Sequence, residues 1–174
     1  AVDVGVSGGE LGQDDAGVAV VVWNDVSAGR VWAQRYLGLA GWTSLSSTAS
    51  YGDGGARDVR LVVDPNKNAV IAWQGWAADA GPFLRVITNL ADGGWLSPWS
   101  YIRNEPGAES PPPGIALALD PNAVIVASFP TILVSVVYNI MTGQASSMPL
   151  KENPGAIGSI HAAGNAAGNV VVAW

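Results

Sequence analysis

No cysteine occurs among the 174 residues. Disulfides, thiolate metal sites and cysteine nucleophiles are therefore excluded together, while the compartment stays open. Positive charge is also scarce: eight Lys and Arg stand against fourteen Asp and Glu, a net charge of −6. The basic residues do not cluster, and phosphate-backbone binding needs a basic face, so nucleic acid is not an expected partner. Long apolar runs are missing too. The longest, Val18 to Trp23 and Val124 to Phe129, have strand length, far short of the roughly 20 residues of a membrane helix. No stretch holds a 3.6-residue apolar period with caps, which predicts almost no helix. No signal peptide is visible, and a start at Ala1 instead of Met reads as a processed or trimmed N-terminus.

The chain is nevertheless built to fold. Hydrophobic residues make up 49% and charged residues 13%, too apolar for a disordered chain. The length suffices for one domain with its own core. The 22 glycines and 11 prolines suit many turns.

The organising feature is an internal repeat. Its first phrase is an apolar strand, a turn rich in Asp, Asn and Gly, and a second apolar strand that often ends in Trp. The clearest copy runs from Val59 to Val63, turns through Asp64-Pro65-Asn66-Lys67-Asn68, and returns from Ala69 to Trp73. Other copies end at Trp23, at Ala127, which takes the Trp place, and at Trp174. Pro presets the first turn dihedral, and Asn or Gly accepts the left-handed conformation that closes it. A second phrase lies between these hairpins: Val31 to Tyr36 leads to Trp42, Leu84 to Asn89 leads to Trp95, and Leu133 to Tyr138 leads to Gln144. Two landmarks that keep one period make four strands per repeat, here a, b, c and d. Four-stranded units at this period predict a β-propeller. The approximate repeats are 1–55, 56–110, 111–156 and a half blade, 157–174.

The residues Val63 to Trp73, Arg35-Tyr36 and Gly93-Gly94-Trp95 carry a resemblance to a family of bacterial secreted or surface propeller repeats, which read roughly Val-Asp-x-Asn-Gly-Asn-Ala-x-x-x-Trp. The third copy departs from it by lacking the Trp and shortening the hairpin. The resemblance implies a propeller and a secreted or cell-surface, bacterial setting, and no specific reaction.

The fold class expected is therefore all-β: a single propeller of antiparallel four-stranded blades, about 3.5 of them. Four a–b hairpins but only three c–d pairs are present, so the chain is either part of a longer polypeptide or closed by another chain. An open array leaves edges that invite association.

His161, the only histidine, aligns with Leu61 and Leu117 and reads as a packed or channel-lining residue. Asp14-Asp15 and the segment from Asp53 to Asp58 lack the oxygen spacing of a calcium loop. A sialidase-like glycosidase would need clustered arginines and paired carboxylates. Arg35, Arg57, Arg60, Arg85 and Arg103 sit at unrelated repeat positions, and Asp64 and Asp120 fall at equivalent turns, so no catalytic residue, metal or cofactor is assigned. Trp23, Trp42 and Trp73 are repeat landmarks and expected core. Trp76 and Trp99 are not repeated, and with Tyr101 and Arg85 they form the candidate carbohydrate-binding set. The expected function is a non-enzymatic propeller binding glycans or a protein partner. The alternatives are a structural repeat module of a larger surface protein or filament, and the glycosidase.

Overall fold

The computed structural model describes residues 6–13, 17–25, 29–44, 46–49, 56–77, 79, 81–92, 94–102, 114–120, 122–129, 131–152, 154, 157, 159–165 and 169–174. Asp14, Asp15, Asp53 and Arg103 lie outside them. The described chain is all-β, with one 3-10 turn at Gly38–Ala40 as its only helical element. Three four-stranded antiparallel sheets follow one another in sequence. Blade 1 holds β1 (Val6–Gln13), β2 (Ala19–Asp25), β3 (Arg30–Tyr36) and β4 (Ser46–Ala49). Blade 2 holds β5 (Ala56–Val63), β6 (Ala69–Ala77), β7 (Gly81–Asn89) and β8 (Trp99–Ile102). Blade 3 holds β9 (Ile115–Asp120), β10 (Asn122–Phe129), β11 (Ile132–Tyr138) and β12 (Ala145–Glu152). A two-stranded hairpin, β13 (His161–Gly164) and β14 (Val170–Ala173), completes the series. The first strands β1, β5, β9 and β13 neighbour one another in that order. This is the blade arrangement of a propeller, and the ring is open.

Turn chemistry sets the register of each a–b hairpin. In blade 2 the Asp64 N–H donates to the Asn68 carbonyl at 2.9 Å, and the Asp64 carboxylate takes the Asn68 N–H at 2.7 Å and its side-chain amide at 2.9 Å. Lys67, at φ 70°, supplies the left-handed step. The last hairpin repeats the device: the Asn165 N–H donates to the Asn169 carbonyl, and the Asn169 N–H to Asn165 Oδ1, both at 3.1 Å. Asn165 thus stands where Asp64 does. This register also moves His161: it pairs with Ala173 as Arg60 pairs with Ala72. It shares the position of Arg60 and Ala116, not that of Leu61 and Leu117, and it is exposed.

The c–d turns close on the expected residues in two blades, where Tyr36 bridges Trp42 and Asn89 bridges Trp95. In blade 3 Tyr138 pairs with Ala145, one residue beyond Gln144. The extra residue is accommodated by Gly143 at φ 71° and by Asn139 Oδ1, which accepts the N–H groups of Met141 and Thr142.

Blades pack face to face. Val20, Val22, Val31 and Ala33 of blade 1 meet Ile71, Trp73, Phe83 and Ile87 of blade 2. The opposite face of blade 2, with Val70, Ala72, Leu84 and Val86, meets Ile125, Phe129, Val136 and Tyr138. The hairpin lies on blade 3 through Ile160, Ala116, Val126 and Leu133. Burial on both faces explains the continuous apolar run of β6. Of the three landmark tryptophans only Trp73 is fully buried. Trp23 is half-buried on a face of blade 1 that meets no described blade, and Trp42 is 51% exposed.

Buried polar side chains tie each blade to the next, and they recur by position. The residue after the landmark Trp does this first: the Asn24 amide donates to the Ala56 carbonyl at 2.7 Å. Likewise the Gln74 amide donates to the Ser128 carbonyl at 2.5 Å and accepts the Gly114 N–H at 3.2 Å. The penultimate residue of strand c does it again. Arg35 donates to Asn89 Oδ1 at 2.9 Å, and one blade on, Thr88 donates to the Tyr138 hydroxyl at 3.3 Å. A buried polar group is costly unless bonded, so each tie also penalises mispacked blades.

Candidate functional site

Strand pairing decides which candidate residues can act together, because paired residues share a sheet face. Tyr101 pairs with Leu84, Trp99 with Val86, and Trp76 with Pro82. All three aromatics therefore project from the face of blade 2 that meets blade 3, and each is half-buried. Tyr101 packs its ring 5.5 Å from Phe129, at 47°. Phe129 lies two residues beyond Ala127 on the same face, where the repeat has given up its Trp. Arg85 pairs with Trp73 and Ser100 on the opposite face, toward blade 1, and its Nε donates to Ser100 Oγ at 3.2 Å. The fold thus gathers Trp76, Trp99 and Tyr101 along one seam and places Arg85 on the other side of the sheet.

A second locale was not singled out in the sequence. A cleft of about 420 Å³ opens between the c–d turns of blades 1 and 2. Trp95, half-buried, forms one wall, and Leu37 and Ala91 add apolar surface. Gln34, Thr43, Ser44 and Asp92 supply polar groups. The Arg35 guanidinium, 4% exposed, underlies it. It donates to the Lys67 carbonyl at 2.5 Å and to the Asn89 carbonyl at 3.2 Å. Gln34 donates to the Thr43 carbonyl at 2.9 Å, and Thr43 Oγ1 accepts the Arg35 N–H. At the rim, Asp92 is exposed and its Oδ1 accepts the Gly94 N–H at 2.9 Å. The site therefore combines an aromatic wall, an exposed carboxylate and a buried cation. The sequence signal for it was the six-residue spacing that Tyr36–Trp42 and Asn89–Trp95 share across their turns, which reads equally well as structure.

Arg60, Glu10 and Asp58 tie the first strands of successive blades together. Arg60 bonds Glu10 at 3.2 Å and Asp58 at 2.5 Å, and its Nε donates to the Ile115 carbonyl at 3.1 Å. Asp58 also accepts the Ile115 N–H at 2.7 Å. Among the described residues no group of three His, Cys, Asp or Glu side chains converges as a metal site would require. No helix among them is long and apolar enough to cross a membrane.

No family model matches the sequence, and no curated protein matches it. Solved structures do. A crystal structure of a triple arginine-to-alanine mutant of AofleA from Arthrobotrys oligospora superposes with a TM-score of 0.53 at 16% identity. That match covers 94% of this chain and 48% of the other. The cryo-EM structure of TcdA4 from Morganella morganii is similar at 14% identity and a TM-score of 0.41, over 88% of this chain and 8% of that one. This chain spans about half the length of the AofleA chain, and at such identity the likeness is one of fold.

Proposed function

We propose that the chain is a non-enzymatic, lectin-like propeller module, secreted or displayed on a bacterial surface, that binds glycans in the cleft between blades 1 and 2. The observation that carries this reading is that Trp95 and Asp92, on one turn of blade 2, both line a cleft of about 420 Å³. A pyranose presents an apolar face and a rim of hydroxyls. An indole takes the first, and a carboxylate with neighbouring amide and hydroxyl groups takes the second. Buried Arg35 biases the cleft toward acceptor-rich ligands. The seam aromatics Trp76, Trp99 and Tyr101 form a second glycan-contacting surface in this proposal. Arg85, on the opposite sheet face, does not join it.

Glycan-array screening followed by calorimetric titration tests the reading. Trp95→Ala and Asp92→Ala are each expected to weaken binding tenfold or more, while Trp99→Ala removes only a secondary contribution. Silence on the array together with no heat at millimolar sugar would overturn it, leaving the structural-module reading.

A further inference from the structure

Asn68, 4% exposed, has every hydrogen-bonding group engaged. Its N–H donates to Asp64 Oδ1 at 2.7 Å and its carbonyl accepts the Asp64 N–H at 2.9 Å, which closes the a–b turn of blade 2. Its side-chain oxygen accepts the Ala91 N–H at 3.1 Å, which fixes the c–d turn of the same blade. Its side-chain nitrogen donates once to Asp64 Oδ2 at 2.9 Å and once to the thioether sulfur of Met141, in blade 3, at 3.7 Å. This last bond is the weakest of the set, because a thioether is a poor acceptor. Its acceptor is also the one open to solvent: Met141 is 63% exposed, whereas Asp64 is buried. Asp92 follows β7 at the same distance as Met141 follows β11, and it is exposed with blade 3 in place. The exposure of Met141 is therefore that of a turn tip.

We infer that Met141 is an oxidation site: a peroxide converts it to the sulfoxide, and the sulfoxide holds the c–d turn of blade 3 to Asn68 more firmly than the thioether does. The sequence has two methionines and no cysteine, so no thiol competes for the oxidant. A sulfur lone pair of Met141 attacks one peroxide oxygen. The O–O bond breaks, an S–O bond forms, and hydrogen peroxide leaves as water; the sulfur is oxidised and the peroxide reduced. The attack takes place on the solvent side of the sulfur, since Asn68 covers the other. The side chain is unbranched and exposed, so rotation about its bonds then turns the new oxygen toward the Asn68 amide. A sulfoxide oxygen is a true hydrogen-bond acceptor, and it replaces the weakest acceptor in the set. Methionine oxidation does harm when it puts a polar group into a core; a turn tip incurs no such cost. The second methionine, Met148, is 57% exposed on β12 opposite Ser135. Among the described residues only Met141 has a donor aimed at its sulfur. The contact also bears on the floor of the cleft between blades 1 and 2. Asn68 follows Lys67 and holds Ala91, which follows Leu90, and Arg35 donates to the carbonyls of both Lys67 and Leu90.

Dilute hydrogen peroxide applied to the folded 174-residue chain, followed by peptide mass mapping and amide hydrogen exchange, tests it. Met148→Leu leaves Met141 as the sole methionine, and Met141→Leu leaves Met148. Both positions are exposed, and circular dichroism confirms folding. Peroxide should add one oxygen at Met141 in the Met148→Leu chain. Exchange of the Ala91 amide, which reports directly on the Asn68 side chain, should then slow by about three- to tenfold, as one improved hydrogen bond would produce. Methionine sulfoxide reductases should return the original rate. Oxidised Met141→Leu should show no change at Ala91. An Ala91 amide that exchanges equally fast or faster once Met141 is oxidised overturns the inference. So does equal slowing in both variants, or a treatment that modifies Met148 and spares Met141. Neither readout requires a glycan, so the outcome is separate from that of the array.

Discussion

The carboxylate of Glu10 binds two groups of the next blade at once: Arg60 Nη1 at 3.2 Å through one oxygen and the Leu61 N–H at 2.6 Å through the other. Arg60 in turn donates to the Ile115 carbonyl at 3.1 Å. One ion pair thereby joins the first strands of three successive blades near the propeller axis. The side chains are 32% and 38% exposed, so the charge attraction itself is screened. The bond to the backbone amide matters more, because removing its acceptor strands a donor. Glu10→Ala is expected to cost about 1–2 kcal/mol in urea unfolding, and Glu10→Gln, which keeps an oxygen for Leu61, less than about 1 kcal/mol.

Arg35 spans two turns of blade 2, reaching the Lys67 carbonyl with one terminal nitrogen and Asn89 with the other. A lysine is a single point donor and cannot hold both. Arg35→Lys should destabilise the fold by about 1–3 kcal/mol, as expected for a buried charged hydrogen bond lost. Amide exchange should quicken at Asn68 and Leu90 before it does in β10.

Tyr138 is fully buried between blades 2 and 3. Burial pushes its hydroxyl above the ordinary 10.0, and the hydrogen bonding with Thr88 offsets part of that rise. The folded state thus holds the proton more tightly than the unfolded state. Its contribution to stability is complete below pH 10 and is lost as pH rises from there through the raised folded value. Unfolding midpoints measured from pH 8 to 12 should fall at the alkaline end. Tyr138→Phe should remove that component of the fall at a cost of about 1 kcal/mol at neutral pH.

Gly164 lies against the backbone of blade 3: a methyl group there would run into the Leu119 carbonyl oxygen. Gly164→Ala must therefore shift the β13–β14 hairpin off β9. Hydrogen exchange should show lost protection in β13 and β14 with β6 and β7 unchanged. Uniform loss across all blades would contradict this local role.

Much of the architecture was legible in the sequence. Strands β6 and β10 are continuous Val, Ile and Ala runs because both their faces are covered. The turns announce themselves through Asp64, Asn68 and Gly143, whose side chains or φ angles the turns require. Both are local chemistry that recurs at each period. The buried ties at Asn24 and Gln74 could also have been found, since each directly follows a landmark Trp. The relative placement of Arg85 and the seam aromatics could not. Their strands are separated by a turn of irregular length, and a slip of one residue in pairing reverses every face.

By itself the sequence determined the repeat, the strand order within each blade and the turns that join them, because these rest on side chains acting over a few residues. Tertiary structure alone decided that Trp95 and Asp92 line a cleft over Arg35 and that Arg85 faces away from Trp99. Those relationships depend on how one sheet lies on the next, and that is set by long-range packing and by hydrogen bonds such as Gln74 to Ser128, 54 residues apart.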